Sequence, residues 1–302
     1  MDSDIVKKYL KAGEILKETQ EEARKIIKSE AKLLEIAESI EKFIEKKGGK
    51  PAFPVNLSFN NEAAHRTADI NDELTIKKED VLKVDIGVQV DGYIADSAFT
   101  VNLSGEWKKM IKVNETALNE ALKLVQENGA GLEIKKIGEI IEKTIKEAGF
   151  KPVQNLTGHG LEKYMQHAPP SIPNIATNDS KRFEDNKVYA IEPFVTNGSG
   201  FVKEGSACQI FMADEVKPTR DRNARKIMEL ILKEYETLPF AERWISDKIK
   251  MSEFERKIAF RELMQKKCIR SYPILKDENG CIVTQAENSF LINDGKVILL
   301  VK

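Results

Sequence analysis

Cysteine is scarce in this sequence of 302 residues, which contains only Cys208, Cys268 and Cys281. Three widely separated thiols exclude a disulfide framework and a zinc site built from several thiolates. Such cysteines usually occupy buried or half-buried positions in the core. The low cysteine content therefore predicts a protein of the reducing cytoplasm.

Long apolar runs and an excess of one charge are also missing. No stretch approaches the roughly 18 consecutive apolar residues of a membrane span. The N-terminus, Met1-Asp2-Ser3-Asp4, lacks the basic and apolar segments of a signal peptide. The 48 Lys and Arg residues are interspersed with 49 Asp and Glu residues. We therefore expect a protein that is neither exported nor anchored to a membrane, and that has no obvious footprint for specific nucleic-acid binding.

Hydrophobic residues make up 41% of the chain, which is enough for a sizeable core. Their spacing predicts one or two long helices over residues 4–46 and a second pair over residues 113–128 and 133–148. Segments 40–51 and 141–152 share seven of twelve residues. Each of these two segments is followed, at a similar distance along the chain, by an apolar strand that ends in an acid. The chain is therefore predicted to contain two copies of one unit, with their acids around a shared centre.

Residues 216–268 interrupt this duplication. Asp221 and the capping box Ser252-x-x-Glu255 each precede a helical pattern, which predicts a helical insertion. Strands are expected to return at 281–284, 289–292 and 297–301, with a turn between the last two.

Two aspartates lie in apolar strands on either side of Asp91-Gly92, a strong hairpin signal. A two-residue loop places Asp85 and Asp96 on one face, directly opposite each other or one diagonal step apart. When two carboxylates lie this close together in an apolar setting, they require a bound metal or a shared proton.

Three further residues complete a plausible set of metal ligands: His159, which is flanked by glycines, Glu192 and Glu287. Taken singly, each more often has an ordinary structural or surface role. Taken together, four carboxylates carry a charge that neutralises two divalent cations. An oxygen-rich set with one imidazole suits a pair of Mn, Fe(II), Co or Zn ions in a hydrolase.

The order Asp85, Asp96, His159, Glu192 and Glu287 resembles the metal-ligand series of the methionine aminopeptidases. The resemblance covers nearly the whole chain and is carried by the segments KPAFPVNLSFNNEAAH (50–65), VDIG with DGYIAD (84–96), GHGL (158–161) and YAIEPF (189–194).

The helical insertion resembles the type II subfamily, and the lack of a charged N-terminal extension resembles its short archaeal form. The fold that this resemblance implies is α+β, the pseudo-twofold, duplicated pita-bread fold. Residues 1–302 would form the catalytic domain, and residues 216–273 an inserted helical subdomain.

The resemblance implies a role for each ligand. Asp85 would chelate one ion, Asp96 and Glu287 would bridge both ions, and His159 and Glu192 would complete the other. Glu192 would also carry the proton from a bridging hydroxide to the leaving amine.

Five more residues receive roles by the same resemblance. His167 would stabilise the oxyanion, and His65 would contact the substrate near the scissile amide. Phe53, Phe194 and Tyr272 would line a pocket for the methionine side chain, although aromatic residues often belong simply to the core.

The implied function is removal of the initiator methionine from nascent proteins, with a preference for a small second residue. The implied setting is a cytoplasmic monomer, and docking at the ribosome exit region is compatible with it. One alternative is an X-Pro peptidase or prolidase, which has the same ligand order but usually an additional N-terminal domain. The other is a non-catalytic relative that binds RNA or ribosomes, although such relatives have lost metal ligands.

The sequence departs from the type II pattern at three positions that are not ligands. Arg66 and Ala68 stand where the pattern usually has Tyr and Pro, which predicts a change at the rim of the substrate cleft. Ala286 stands where Phe is usual, which removes a packing ring beside a bridging ligand.

Overall fold

The computed structural model describes residues 1–302 and contains seven helices. They are α1 (Ser3–Ile26), α2 (Leu33–Lys46), α3 (Lys108–Asn128), α4 (Lys135–Glu147), α5 (Arg222–Glu234), α6 (Glu242–Lys248) and α7 (Glu253–Gln265). None of them combines the length and the apolar composition that crossing a membrane requires.

Sixteen strands form four sheets. The strands are β1 (Lys50–Pro51), β2 (Asn56–Phe59), β3 (Glu62–Ala64), β4 (Val81–Val90), β5 (Tyr93–Asn102), β6 (Lys151–Pro152), β7 (Thr157–Glu162), β8 (Met165–Pro173), β9 (Lys187–Ile191), β10 (Phe194–Thr196), β11 (Lys203–Ala213), β12 (Phe240–Ala241), β13 (Ile269–Lys276), β14 (Val283–Gln285), β15 (Asn288–Asn293) and β16 (Lys296–Leu299). Their orders are β1-β4-β2 with β5 beside β4, β14-β10-β6, β12-β11-β13-β3, and β16-β15-β9-β7-β8.

The predicted duplication is confirmed by the pairing of the strands. In the first half, α1 and α2 lead to β1, where Pro51 pairs with Val88 of β4. In the second half, α3 and α4 lead to β6, where Pro152 pairs with Val195 of β10. Val88 lies three residues after Asp85, and Val195 lies three residues after Glu192. The two acids therefore occupy equivalent positions in the two halves.

Each half has its own hydrophobic core. A cluster of 30 buried residues lies among α1, α2, β4 and β5, and a cluster of 18 lies among α3, α4, β9 and β15. Helix α3 begins at Lys108, earlier than the predicted residue 113, because its first turn buries only Met110 and so shows little apolar periodicity. Helix α1 packs on β4 and β5, and helix α3 packs on β9, β10 and β14.

The predicted insertion is helical and has a third cluster of 13 buried residues, drawn from α5, α6, α7 and the adjoining strands. The predicted caps are present, since the side chain of Asp221 accepts from the N-terminus of α5 and Ser252 and Glu255 form a capping box at α7. The predicted boundary at residue 273 falls inside β13, because this strand continues from the insertion into the sheet that contains β3.

A buried ion pair connects the insertion to the first half of the fold. The guanidinium of Arg243 in α6 donates to both carboxylate oxygens of Glu41 in α2. The indole N–H of Trp244 donates to the same carboxylate over 2.9 Å. The insertion is therefore held against α2 by charge-assisted hydrogen bonds.

Candidate metal centre and substrate cleft

The hairpin of β4 and β5 places the first two acids. Its two-residue loop consists of Asp91 and Gly92, both with positive φ, as the tight turn of a hairpin requires. Asp85 pairs with Ala98, and Asp96 pairs with Gly87. The two acids thus lie on one face, one diagonal step apart, which is the second of the two arrangements that the sequence allowed.

His159 lies in β7, where the neighbouring backbones approach unusually closely. A Cβ atom at Gly158 would lie 2.3 Å from the carbonyl oxygen of Ala190, and one at Gly160 would lie 2.5 Å from that of Pro169. Only glycine fits on either side of the histidine. The sequence of this strand therefore brings one imidazole close to the strands on both sides of it.

The imidazole of His159 has a defined orientation. Its Nδ1 lies 3.1 Å from the carbonyl oxygen of Gly160, so that the Nδ1–H donates to the backbone. Its Nε2 lies 3.6 Å from Oε1 of Glu192 and 4.0 Å from Oδ2 of Asp96. The lone pair on Nε2 is therefore free to bind a metal between these carboxylates.

Glu287 enters the site where the two halves of the fold join. Its backbone exchanges two hydrogen bonds with Ala98, of 3.0 and 3.3 Å, and its carbonyl oxygen accepts from the hydroxyl of Ser97. One ligand atom from each of Asp96, His159 and Glu287 lies within 4.8 Å of the other two. Acids from both halves therefore meet at the centre that the duplication predicted.

Burial shifts the ionisation of all these groups. Desolvation raises the pKa of Asp85 to about 7. Desolvation, followed by the charges of neighbouring carboxylates, raises the pKa values of Asp96, Glu192 and Glu287 well above their usual range. Desolvation lowers the pKa of His159 to about 4, which keeps the imidazole neutral. Burial therefore favours the uncharged form of each group. Bound cations would offset the cost of keeping the carboxylates ionised.

The carboxylate oxygens also lack hydrogen-bond partners. Oδ1 of Asp85, Oδ1 of Asp96 and Oε1 of Glu287 are buried and accept no hydrogen bond. Unpaired buried acceptors are costly, and divalent cations are the usual partners of such oxygen-rich clusters. The donor set therefore fits divalent metal ions.

One cleft of about 600 Å³ contains all ten residues that the sequence singled out. They are Phe53, His65, Asp85, Asp96, His159, His167, Glu192, Phe194, Tyr272 and Glu287. Phe53 packs so closely on β4 that a Cβ atom at Gly87 would lie 2.2 Å from its ring. The ring of Tyr272 packs edge-on against that of His65, with centroids 5.3 Å apart, so an aromatic ring lies beside a histidine of the cleft.

His65 and His167 both face this cleft without belonging to the carboxylate cluster. His65 has a positive φ of 68°, its backbone N–H donates to Oδ1 of Asn56 over 2.7 Å, and its Nδ1 lies 3.1 Å from the carbonyl oxygen of Pro273. The ring of His167 packs edge-on against that of His159, with centroids 4.6 Å apart. Desolvation lowers the pKa values of both His65 and His167, so each is a neutral hydrogen-bonding group at neutral pH.

Two glutamines also lie at the site, and no sequence pattern had singled them out. The amide nitrogen of Gln285 lies 3.2 Å from Oδ2 of Asp85 and 3.5 Å from Oε2 of Glu192. A hydrogen bond from Gln166 lowers the pKa of Asp96, against the larger effect of desolvation. Gln285 could have been noticed because it lies two residues before Glu287 and so points to the same face of the chain.

The three departures from the type II pattern lie near the site without reaching its ligands. Arg66 forms an ion pair with Glu62, with Nε 2.5 Å from Oε2, and does not line the cleft. Ala68 is buried in the core of the first half, and Ala286 in that of the second. The predicted effects on the cleft rim and on packing stay predictions.

Comparisons with known proteins agree with this geometry. A match to metallopeptidase family M24 covers residues 7–216. The methionine aminopeptidases of Archaeoglobus fulgidus and Methanocaldococcus jannaschii are 42% and 41% identical, over all of this chain and all of each relative. The crystal structure of methionine aminopeptidase from Thermotoga maritima is 19% identical with a TM-score of 0.71, over 100% of this chain and 98% of that one, and supports the pita-bread fold. This chain belongs to metallopeptidase family M24, within its methionine aminopeptidase branch.

Proposed function

We propose that this protein is a methionine aminopeptidase that removes the N-terminal methionine from nascent proteins and peptides. The observation that carries the proposal is the single cleft in which two buried and two half-buried carboxylates, a neutral imidazole and two further histidines converge. Full-length relatives with this name support it. In this proposal residues 1–302 form the catalytic domain, with residues 216–273 as an inserted helical subdomain.

The metal centre of the proposal holds two divalent ions, of Co, Mn, Fe(II) or Zn. Four carboxylates balance the charge of two such ions. Asp85 would hold one ion, His159 and Glu192 the other, and Asp96 and Glu287 would lie between them. Three carboxylate oxygens without any hydrogen bond support this assignment. When bound, such ions activate water as a nucleophile and polarise the scissile carbonyl.

The remaining steps belong to side chains of this chain. Glu192 is the proposed general base and acid, since it lines the cleft and its Oε1 lies 3.6 Å from Nε2 of His159. His167 donates to the developing oxyanion, and the Nε2 of His65 contacts the substrate near the scissile amide.

The methionine side chain would lie against the aromatic residues of the cleft. Phe53, Phe194 and Tyr272 line the cleft, and the hydroxyl of Tyr272 is 3.3 Å from the sulfur of Met212. A thioether gains about 0.3–1.5 kcal/mol from each contact with an aromatic ring. This pocket accounts for selection of methionine over shorter apolar residues.

Three peptides assayed side by side test the assignment. Met-Ala-Ser should be cleaved at least about tenfold faster than Met-Lys-Ser, because a small second residue fits beside the metal centre and a long one does not. A peptide with proline as its second residue and no methionine should not be cleaved. Preferential cleavage of the X-Pro peptide would favour a prolidase-like enzyme instead.

The raised pKa values predict that metal stabilises the protein more at higher pH. A carboxyl whose folded pKa is raised keeps its proton in the folded state after the unfolded chain has lost it, so the metal-free fold loses stability as pH rises toward the raised pKa values. Bound ions displace these protons. The increase in melting temperature on adding Mn²⁺ should therefore be larger at about pH 8 than at about pH 6, as measured by calorimetry. An increase in melting temperature that is the same at both pH values would contradict this prediction.

The proposed setting is a cytoplasmic monomer that acts near the ribosome exit region. Residues 216–268 carry fourteen Lys and Arg against nine Asp and Glu, although the whole chain has a formal charge of −1. Phe254 is 73% exposed on this insertion. A segment with a net positive charge and an exposed aromatic ring suits weak binding to ribosomal RNA. Sedimentation with ribosomes at low salt, lost at high salt, would support this docking, and sedimentation velocity measures the oligomeric state.

A further inference from the structure

Gln285 lies in the metal centre and touches an acid from each half of the fold. It is buried in β14, opposite Phe194 of β10. Its Nε2 lies 3.2 Å from Oδ2 of Asp85 and 3.5 Å from Oε2 of Glu192. Ionised carboxylates only accept hydrogen bonds, so a group that faces two of them must present its N–H atoms. The amide nitrogen has two, one for each carboxylate.

The duplication allows the position of Gln285 to be compared with the equivalent position in the first half of the fold. Asp96 pairs with Gly87, two residues beyond Asp85. Gln285 pairs with Phe194, two residues beyond the equivalent acid of the second half. Gln285 therefore occupies the position in the second half that Asp96 occupies in the first. The symmetric arrangement would place a fifth carboxylate here, and this chain has a hydrogen-bond donor instead.

The backbone of Gln285 is fixed independently of its side chain. Its N–H donates to the hydroxyl of Thr100, and the same hydroxyl donates to its carbonyl oxygen, over 2.9 and 2.7 Å. Thr100 belongs to β5, the strand that also carries Asp96. The amide group is thus held rigidly relative to the ligands around it.

We propose that Gln285 is a positioning residue of the metal centre, whose two amide N–H groups hold the Asp85 and Glu192 carboxylates at a fixed separation. The inference rests on the proposed function, in which these two acids bind different ions. Each hydrogen bond uses one carboxylate oxygen and orients the other toward an ion. The neutral amide also keeps the charge of the cluster at the value that two divalent ions balance. Loss of such a partner usually costs 10–100-fold in metal affinity.

Replacement of Gln285 by Met tests this role, because Met has a similar length and no N–H group. Gln209→Met is the matched control, since Gln209 is buried in β11 and does not line the cleft. Calorimetric titration of the metal-free proteins with Mn²⁺ should give two sites in the parent and in Gln209→Met. Gln285→Met should bind at least one ion roughly 10–100-fold more weakly. Affinities within about twofold of the parent for both ions would overturn the proposal.

Gln285→Glu gives a second and independent measurement. Glu has the same shape, but its carboxylate cannot donate to its two neighbours and adds a fifth negative charge. The electron paramagnetic resonance spectrum of two coupled Mn²⁺ ions depends on their separation and bridging ligands, so it should change in this variant even where both ions are retained. An unchanged spectrum together with unchanged affinities would show that Gln285 only fills space. A parent protein that binds no Mn²⁺ would contradict the proposed function itself, whereas equal binding by parent and variants would contradict only the role of Gln285.

Discussion

Asp96→Asn should abolish peptidase activity while leaving the fold intact. The substitution keeps the volume of the side chain but removes one negative charge and one ligand oxygen from the centre of the carboxylate cluster. The backbone N–H of Asp96 donates to the hydroxyl of Ser289, and the substitution does not change this hydrogen bond. We expect release of methionine from Met-Ala-Ser to fall to about 1% of the parent rate or less, a loss of about 10²-fold or more.

Asp91→Asn is the matched control for this experiment. Asp91 belongs to the same hairpin, but it is exposed and its only ion pair, with Lys8, is at the surface. Such pairs contribute little, and Asn is well suited to the turn. This variant should retain both activity and bound metal. Asp85→Asn should lose activity like Asp96→Asn, with weaker retention of metal. Asp96→Asn protein that cleaves the peptide at more than a few per cent of the parent rate would rule out the dinuclear assignment.

His159→Ala and His167→Ala should separate metal binding from catalysis. His159→Ala removes the only nitrogen ligand of the cluster, and we expect it to lose an ion as well as activity. His167→Ala removes a proposed donor to the oxyanion, so it should keep the metal stoichiometry and lose roughly 10²–10³-fold in turnover. Metal analysis and turnover measured on both variants give the comparison.

The rings of His159 and His167 are in contact, so each alanine substitution also affects the packing of the other ring. Their centroids are 4.6 Å apart, so removal of one ring leaves a gap beside the other. His167→Asn keeps a donor and part of the volume, and it should recover some turnover if hydrogen bonding is the function of this residue. Equal loss of metal in His159→Ala and His167→Ala, or unchanged turnover in His167→Ala, would show that the roles of the two histidines are wrongly assigned.

Those parts of the site that depend on local geometry could be predicted from the sequence. Asp91-Gly92 fixes the register of β4 and β5, and the register fixes the face on which Asp85 and Asp96 lie. The repeated helical exit at 40–51 and 141–152 indicated the duplication, because both copies must make the same turn from helix to strand. The glycines around His159 indicated a close backbone approach before the neighbouring strands were known.

Those parts that depend on contacts distant in sequence could not be predicted in this way. Glu287 pairs with Ala98, a residue 189 positions earlier in the chain, and no local pattern specifies which strand it meets. Gln285 lies on the same face as Glu287, two residues before it, but no local pattern specifies that its amide meets Asp85 and Glu192. The ion pair of Arg243 with Glu41 likewise connects an insertion to a helix far away in sequence. Such contacts are determined by the packing of whole helices and sheets, which the period of one segment does not encode.

Metal-dependent release of methionine tests the central claim most directly. The purified protein would be stripped with a chelator, and Met-Ala-Ser cleavage would be measured as Mn²⁺, Co²⁺, Fe²⁺ or Zn²⁺ is added back in measured equivalents. We predict no release from the stripped protein, and release that rises with bound metal for at least one of these ions until the centre is filled. Release that is unaffected by stripping, or that is absent with every one of these ions although the metal binds, would contradict a metal-dependent methionine aminopeptidase.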